Sequence, residues 1–220
     1  MIVITGANRG LGKSIAERLL SKKKEVFGIS KNFEKKSFDG MKCDISSYDD
    51  IKAIQKKFKE RKTKISALIN AAGIASMNLA IITPKKKTEE IIKTNLLGTI
   101  YCSQLISALM IRNKKGCIIN FSTIAVALGL KGESIYAASK AGVEGFSRSF
   151  AREMSDFNIR VNCIAPGPIK TDLLRGVNQN QINKIVSQQI IQKQFSPDEV
   201  CDVVELLLDK KSESISGQVI

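Results

Sequence analysis

The stretch Ile2-Val3-Ile4-Thr5-Gly6-Ala7-Asn8-Arg9-Gly10-Leu11-Gly12 begins as a short β-branched run, stops on a glycine and passes into an amphipathic segment. It reads as a strand at 2–5, a tight turn and a helix over 11–23. Glycines 6, 10 and 12 fall where the strand ends and the helix opens. With no Cβ there, the backbone can approach a pyrophosphate at the helix N-terminus, whose free N–H groups and dipole favour an anion. The spacing is G-x-x-x-G-x-G, not the commoner dinucleotide fingerprint. Its strand-turn-helix context is nevertheless the one such a loop requires. Gly6, Asn8, Arg9, Gly10, Leu11 and Gly12 are therefore read as cofactor-binding.

Outward from this loop the pattern repeats. Short apolar runs at 26–29, 41–43, 65–70, 117–121 and 159–165 alternate with amphipathic stretches at 48–60, 88–112 and 136–155. This βαβα rhythm predicts an α/β, doubly wound Rossmann fold, a mostly parallel seven-stranded sheet covered on both faces by helices. Its ligand cleft lies at the carboxyl ends of the strands. Ser196-Pro197-Asp198-Glu199 carries the signature of a helix start for 197–209, with a serine cap, proline in the first turn and glutamate three residues on. A last strand is expected at 217–220. No linker or repeat divides the 220 residues, so they are read as one domain. The polar, glutamine-rich insertion within 172–195 is read as a substrate lid.

Composition narrows the classes. The net charge of +14 comes from lysines dealt along the whole chain. Base-reading surfaces favour arginine, so nucleic acid is not expected as a partner. Cysteines 43, 102, 117, 163 and 201 are scattered, none in C-x-x-C, and histidine is absent. Neither a disulfide framework nor a metal site is expected, and a reducing cytoplasm is the natural compartment. No stretch approaches the ~20 consecutive apolar residues of a membrane span, so no membrane association is expected.

The chemistry is concentrated in Tyr136-Ala137-Ala138-Ser139-Lys140. An i,i+4 spacing sets both side chains on one helix face, where an ammonium near a phenol favours the phenolate. Lowering a phenol from ~10 to about 7 asks for roughly 4 kcal/mol, which one close cation in a low-dielectric cleft, with a cofactor's positive charge, supplies. Tyr136 and Lys140 are the expected acid-base pair of a carbonyl or alcohol redox reaction.

The glycine loop, Asn70-Ala71-Ala72-Gly73, Asn95, the Tyr136/Lys140 pair and Arg160-Val161-Asn162-Cys163-Ile164-Ala165-Pro166-Gly167 together resemble the short-chain dehydrogenase/reductase family over essentially the whole chain. Within it the similarity is greatest to the 3-oxoacyl-[acyl-carrier-protein] reductases and their carbonyl-reductase relatives. The resemblance implies an oxidoreductase in which Tyr136 protonates the substrate oxygen. Lys140 lowers the tyrosine's pKa and holds the nicotinamide ribose, and Asn95 anchors a water chain to Lys140. The position of the family's substrate-orienting serine holds Thr123, with Ser122 beside it. Strand alternation favours Thr123, and a register shifted by one would bring in Ser122 instead. Asn70, Ala71 and Gly73 form the bend beside the adenine ribose, and Asp44 and Ile45 meet the adenine. For Asp44 the other reading is a loop or helix-capping acid near Ser46 and Ser47. Pro166, Gly167, Ile169 and Thr171 match the segment that holds the nicotinamide carboxamide.

An NAD enzyme places an acid at the end of its second strand. Here Ser30 stands there, followed by Lys31, and Arg9 adds a second cation. A 2'-phosphate is expected to meet two positive groups and no negative one, so NADPH is the expected cofactor. The resemblance also implies a small-molecule or thioester substrate, an acyl carrier protein as partner, and a homodimer or homotetramer. Leu96, Leu97, Leu105, Leu109, Val143, Phe146 and Phe150 would form a helix-on-helix dimer face, or else all meet the sheet.

Overall fold

The computed structural model describes residues 1–34, 37–171 and 178–220. Its strands are β1 (Ile2–Thr5), β2 (Val26–Ser30), β3 (Asp39–Lys42), β4 (Ala67–Asn70), β5 (Gly116–Phe121) and β6 (Ile159–Ile164). Its α-helices are α1 (Gly10–Ser21), α2 (Tyr48–Glu60), α3 (Lys85–Ile91), α4 (Gly98–Met110), α5 (Ala125–Leu128), α6 (Ser134–Met154), α7 (Gln179–Val186) and α8 (Pro197–Leu208).

The strands form one sheet in the order β3-β2-β1-β4-β5-β6, with every described pairing parallel. Alternation along the strands builds two cores. Val3, Leu68, Ile118 and Val161 meet α2, α4 and α6 through Ile51, Ile54, Ile106, Met110 and Phe150. Ile2, Ile4, Ile69 and Ile119 point the other way, onto Ile15 and Leu19 of α1 and Val200, Val204 and Leu207 of α8. A sheet covered on both faces needs strands apolar at consecutive positions, and β1, β4 and β5 are buried throughout. The strand order reverses between β1 and β4, which opens the crevice described below.

The sheet differs from expectation at its edge. In place of a seventh strand at 217–220 there is an isolated parallel bridge between Cys163 and Val219. Gly217 has φ +74°, and the Gln218 N–H donates to the Asn162 side chain at 3.1 Å. The segment still runs along β6: the Gly217 N–H donates to the Val161 carbonyl at 2.7 Å, the Cys163 N–H to the Gln218 carbonyl at 2.8 Å, and the Ile220 N–H to the Cys163 carbonyl at 2.9 Å.

The expected single helix 88–112 is likewise interrupted. Between α3 and α4 runs a π-helical stretch, Ile92–Leu97. Asn95, within it, is fixed to Ile74, whereas a Cβ on Gly98 would lie 2.7 Å from Ile45 Cδ1. The extra residue of a π turn lets both contacts form. By length and composition Lys85–Asn113 is apolar enough to cross a membrane, but its most apolar window is 56% buried inside this chain and it packs on the sheet as a core helix.

The proposed dimer face is reduced by the same packing. Leu105, Leu109, Val143 and Phe150 are buried within the chain, leaving Leu96, Leu97 and Phe146 half-buried. At α8 the Ser196 hydroxyl accepts from the Glu199 N–H and the Glu199 carboxylate accepts from the Ser196 N–H, the reciprocal cap expected there.

Candidate active site

The β1–α1 turn is built for close approach. Gly6 has φ +71°, and a Cβ on it would stand 2.8 Å from Ala72 Cα; one on Gly12 would stand 2.5 Å from the Gly6 carbonyl oxygen. Helix α1 starts with no side-chain cap on its N–H groups and no acid in its first turn, so its amino end is left to an incoming anion. The Ser30 hydroxyl, at the end of β2, is buried without a hydrogen-bond partner among the described residues. An orphaned donor at a strand end, next to an uncapped helix, fits the ribose-phosphate part of a dinucleotide.

These groups line one cleft of about 1250 Å³, together with Ala71, Gly73, Thr123, Tyr136, Lys140, Pro166, Gly167, Ile169 and Thr171. It is large enough for a dinucleotide and a small substrate. Asn8, Arg9, Gly10, Leu11, Lys31, Asp44 and Ile45 also lie on its wall.

Two expected site residues stand behind that wall. Asn70 is 2% exposed, and its Nδ2 donates to Ser103 Oγ at 3.1 Å and to Asn120 Oδ1 at 2.8 Å. The end of β4 turns this side chain inward, so it braces the sheet against α4, and only the backbone of the Asn70–Gly73 bend is left toward the cleft, through Ala71, Ala72 and Gly73. Asn95 is fully buried. Its Oδ1 accepts from the Ile74 N–H at 2.9 Å, and its Nδ2 donates to the Ile74 carbonyl at 2.9 Å and to Ser139 Oγ at 3.0 Å. It thus ties the loop after β4 to α6, with its Oδ1 and Lys140 Nζ on either side of the space next to Gly73.

On α6, Tyr136 and Lys140 are both buried, at 9% and 4% exposure. Lys140 Nζ donates to the Phe121 carbonyl at 2.8 Å, at the end of β5. Burial lowers its pKa to about 8. The expected lowering joins the ammonium to a cofactor's positive charge; the protein's own groups by themselves shift the phenol the other way. Burial, and then the charge of Glu133, push Tyr136 up to about 12, opposed by a hydrogen bond with Thr123. The ammonium is spent on a carbonyl and is itself desolvated, so it does not lower the phenol here. A protonated phenol is the form that can give a proton to a developing alkoxide.

The neighbouring hydroxyls separate cleanly. Ser122 Oγ donates to Glu144 Oε1 at 2.6 Å, while Thr123 interacts with Tyr136. Alternation at the end of β5 therefore brings Thr123 to the phenol and turns the buried Ser122 hydroxyl to Glu144 of α6, although both residues line the cleft.

Asp44 shows its loop-acid character. Its Oδ1 accepts from the Ser46 N–H at 3.0 Å and the Ser46 hydroxyl at 2.7 Å, and its Oδ2 lies 2.7 Å from Lys31 Nζ. Ser47 is the cap of α2. The pairing corrects the expectation that Lys31 and Arg9 have no negative neighbour. The charge of Glu90 also reaches Lys31.

Of the lid expected over 172–195, residues 172–177 lie outside the described residues. Within the rest, Gln179–Val186 forms α7, which sets Gln181, Ile182 and Ile185 on the cleft wall. Gln189 is 8% exposed and lies so close to Gly167 that any Cβ there would collide with its Oε1. Glu133, missed in the sequence, also lines the cleft. Its place one turn before Tyr136 on the same helix face is the signal that could have revealed it.

A sheet of this strand order, with a glycine loop at its switch point and Thr123, Tyr136 and Lys140 in the crevice, defines an oxidoreductase that uses a nicotinamide dinucleotide. The chain belongs to the short chain dehydrogenase family, whose profile matches residues 1–182. It is 35% identical to the 3-oxoacyl-[acyl-carrier-protein] reductase FabG of Buchnera aphidicola subsp. Schizaphis graminum, over 99% of this chain and 93% of that protein. It is 34% identical to carbonyl reductase family member 4 of Xenopus laevis, with the same coverage. Among solved structures it superposes on ElxO with NADP bound at a TM-score of 0.90 and 27% identity, covering 100% of this chain and 95% of that one. It also superposes on ligand-free aldohexose dehydrogenase of Thermoplasma acidophilum at a TM-score of 0.89 and 28% identity, covering 100% and 90%.

Proposed function

We propose that the chain reduces the keto group of a 3-oxoacyl thioester with NADPH in the cytoplasm, an acyl carrier protein being the natural bearer of the thioester. The observation that carries carbonyl reduction is the convergence of the Thr123 hydroxyl and the Tyr136 phenol inside the cleft. Two O–H groups meeting at one point suit a carbonyl oxygen that gains charge as it is reduced. The cofactor, when bound, supplies the hydride. Tyr136 gives the proton, Thr123 orients the carbonyl, and Lys140 holds the end of β5 and the ribose beside it. Asn95 keeps α6 and the loop at Ile74 in place, which fixes the direction in which Lys140 points.

The choice of a thioester is supported by relatives named 3-oxoacyl-[acyl-carrier-protein] reductase at 35% and 33% identity. NADPH is supported by Ser30 standing where an acid would favour NAD, by Arg9 and Lys31 on the cleft wall, and by the NADP held in the ElxO structure. The test is NADPH oxidation with acetoacetyl thioesters beside a panel of simple ketones. Turnover of the thioester well above the ketones is expected. Comparable turnover of all of them would make the chain a general carbonyl reductase, and none would leave a dinucleotide-binding protein without this activity.

A further inference from the structure

Glu133 occupies the N-cap of α6, where a short side chain such as Asp or Ser accepts a hydrogen bond from the first helical turn. It makes no such bond. Its side chain is buried instead, at 7% exposure, on the wall of the cleft beside Thr123 and Tyr136. Among the described residues it has neither a hydrogen bond nor an ion pair; its one described electrostatic neighbour is the Tyr136 phenol. Burying an unpartnered carboxyl is unfavourable, and burial duly raises its pKa. A carboxyl that sits unpaired on the wall of a cleft is placed for something that enters the cleft.

We propose that Glu133 is a specificity-determining residue that accepts a hydrogen bond from an O–H or N–H donor carried by the substrate a few bonds from its reacting carbonyl. The carbonyl oxygen meets Tyr136, and Glu133, one helical turn earlier on the same face, meets the donor. A buried acceptor discriminates strongly in this position, because a substrate lacking the donor leaves the carboxyl desolvated and unpaired. Two substrate chemistries supply such a donor: the amide N–H of an aminoethyl thioester arm, or a hydroxyl on a hydroxy-ketone. This inference rests on the reductase reading above.

The experiment uses matched pairs. Acetoacetyl N-acetylcysteamine thioester is compared with the S-butyl thioester, and 1-hydroxybutan-2-one with butan-2-one. The unaltered protein is expected to favour the donor-bearing member of one pair by roughly 10-fold or more in kcat/KM. Glu133→Gln keeps an acceptor and should keep most of that preference, whereas Glu133→Leu should abolish it. The pair that responds identifies the source of the donor. The reduced partners, 3-hydroxybutyryl thioesters and butane-1,2-diol against butan-2-ol, are titrated by calorimetry into NADPH-loaded protein, where no turnover occurs. Donor-dependent binding that Glu133→Leu removes would support the assignment even if no carbonyl were reduced. Because the carboxyl is unpaired, Glu133→Leu should unfold at a temperature no lower than the parent. Equal binding and turnover of both members in both pairs, or a preference that survives in Glu133→Leu, would overturn the proposal and leave the reductase reading intact.

Discussion

Lys31 Nζ lies 2.7 Å from Asp44 Oδ2, so the cation at the end of β2 is already engaged by an acid at the end of β3. A 2'-phosphate has to compete with that carboxylate for Lys31. The Lys31 side chain is 76% exposed, so the pair is weak and exchangeable. Asp44→Asn should therefore raise NADPH affinity relative to NADH by roughly 3-fold, and Lys31→Ala should lower the ratio by about 10-fold. Both are read by direct titration of each cofactor. Unchanged ratios in both variants would remove Lys31 from the phosphate site.

Tyr136→Phe deletes one buried oxygen. Cofactor affinity should persist while reduction falls by at least ~10²-fold, the scale of losing a general acid. Single-turnover measurement with NADPH prebound checks this, and undiminished turnover would exclude the phenol as the proton donor.

Thr123→Val and Ser122→Ala separate two adjacent hydroxyls. The valine should cost roughly 1–3 kcal/mol in transition-state stabilisation, because the partner hydroxyl is left without its bond. Removing the Ser122 hydroxyl, which faces Glu144 at 2.6 Å, should cost about 1 kcal/mol of folding stability and little activity. The reverse pattern in kcat/KM would return the register to Ser122.

Lys140 gives a pH dependence of stability. Its folded pKa is lowered from 10.5 to about 8, so between those values the unfolded chain binds the proton more readily and stability rises with pH. The destabilisation is complete below about pH 8 and relieved as pH rises toward 10.5. Tyr136 acts in the opposite sense above pH 10, because its folded pKa is raised to about 12 and the unfolded phenol loses its proton first. Relative to the parent, Lys140→Met should be more stable by a margin that shrinks between about pH 8 and pH 10. Denaturant midpoints across that range measure it, and a constant margin would mean that the buried amine titrates normally.

Much of this arrangement is local and therefore legible in the sequence. Gly6, Gly10 and Gly12 mark a turn by needing no Cβ, Ser196 and Glu199 mark a helix start, and Tyr136 and Lys140 share a face by spacing alone. What escaped depends on contacts between distant segments. The Lys31–Asp44 pair forms because parallel strands end side by side, and Asn70 turns inward because Ser103 and Asn120 await it. The phenol's pKa is raised because the packed cleft buries it and Glu133 stands beside it. The break in the helix around Asn95 had no periodic signal, since the apolar pattern runs straight through it.

That break carries a consequence for how the chain tolerates insertion and loss. A π turn holds one residue more than the α turn it replaces, so Ile92–Leu97 stores a one-residue phase shift between α3 and α4. Removing a single residue there would let the backbone close into regular α geometry, yet it would rotate everything upstream by about a quarter turn relative to α4. Ile91 would swing out of its buried position as Asn95 left Ile74. The stretch works as a splice between two helices of different phase, and shortening it by one would heal the helix while unlocking the cleft.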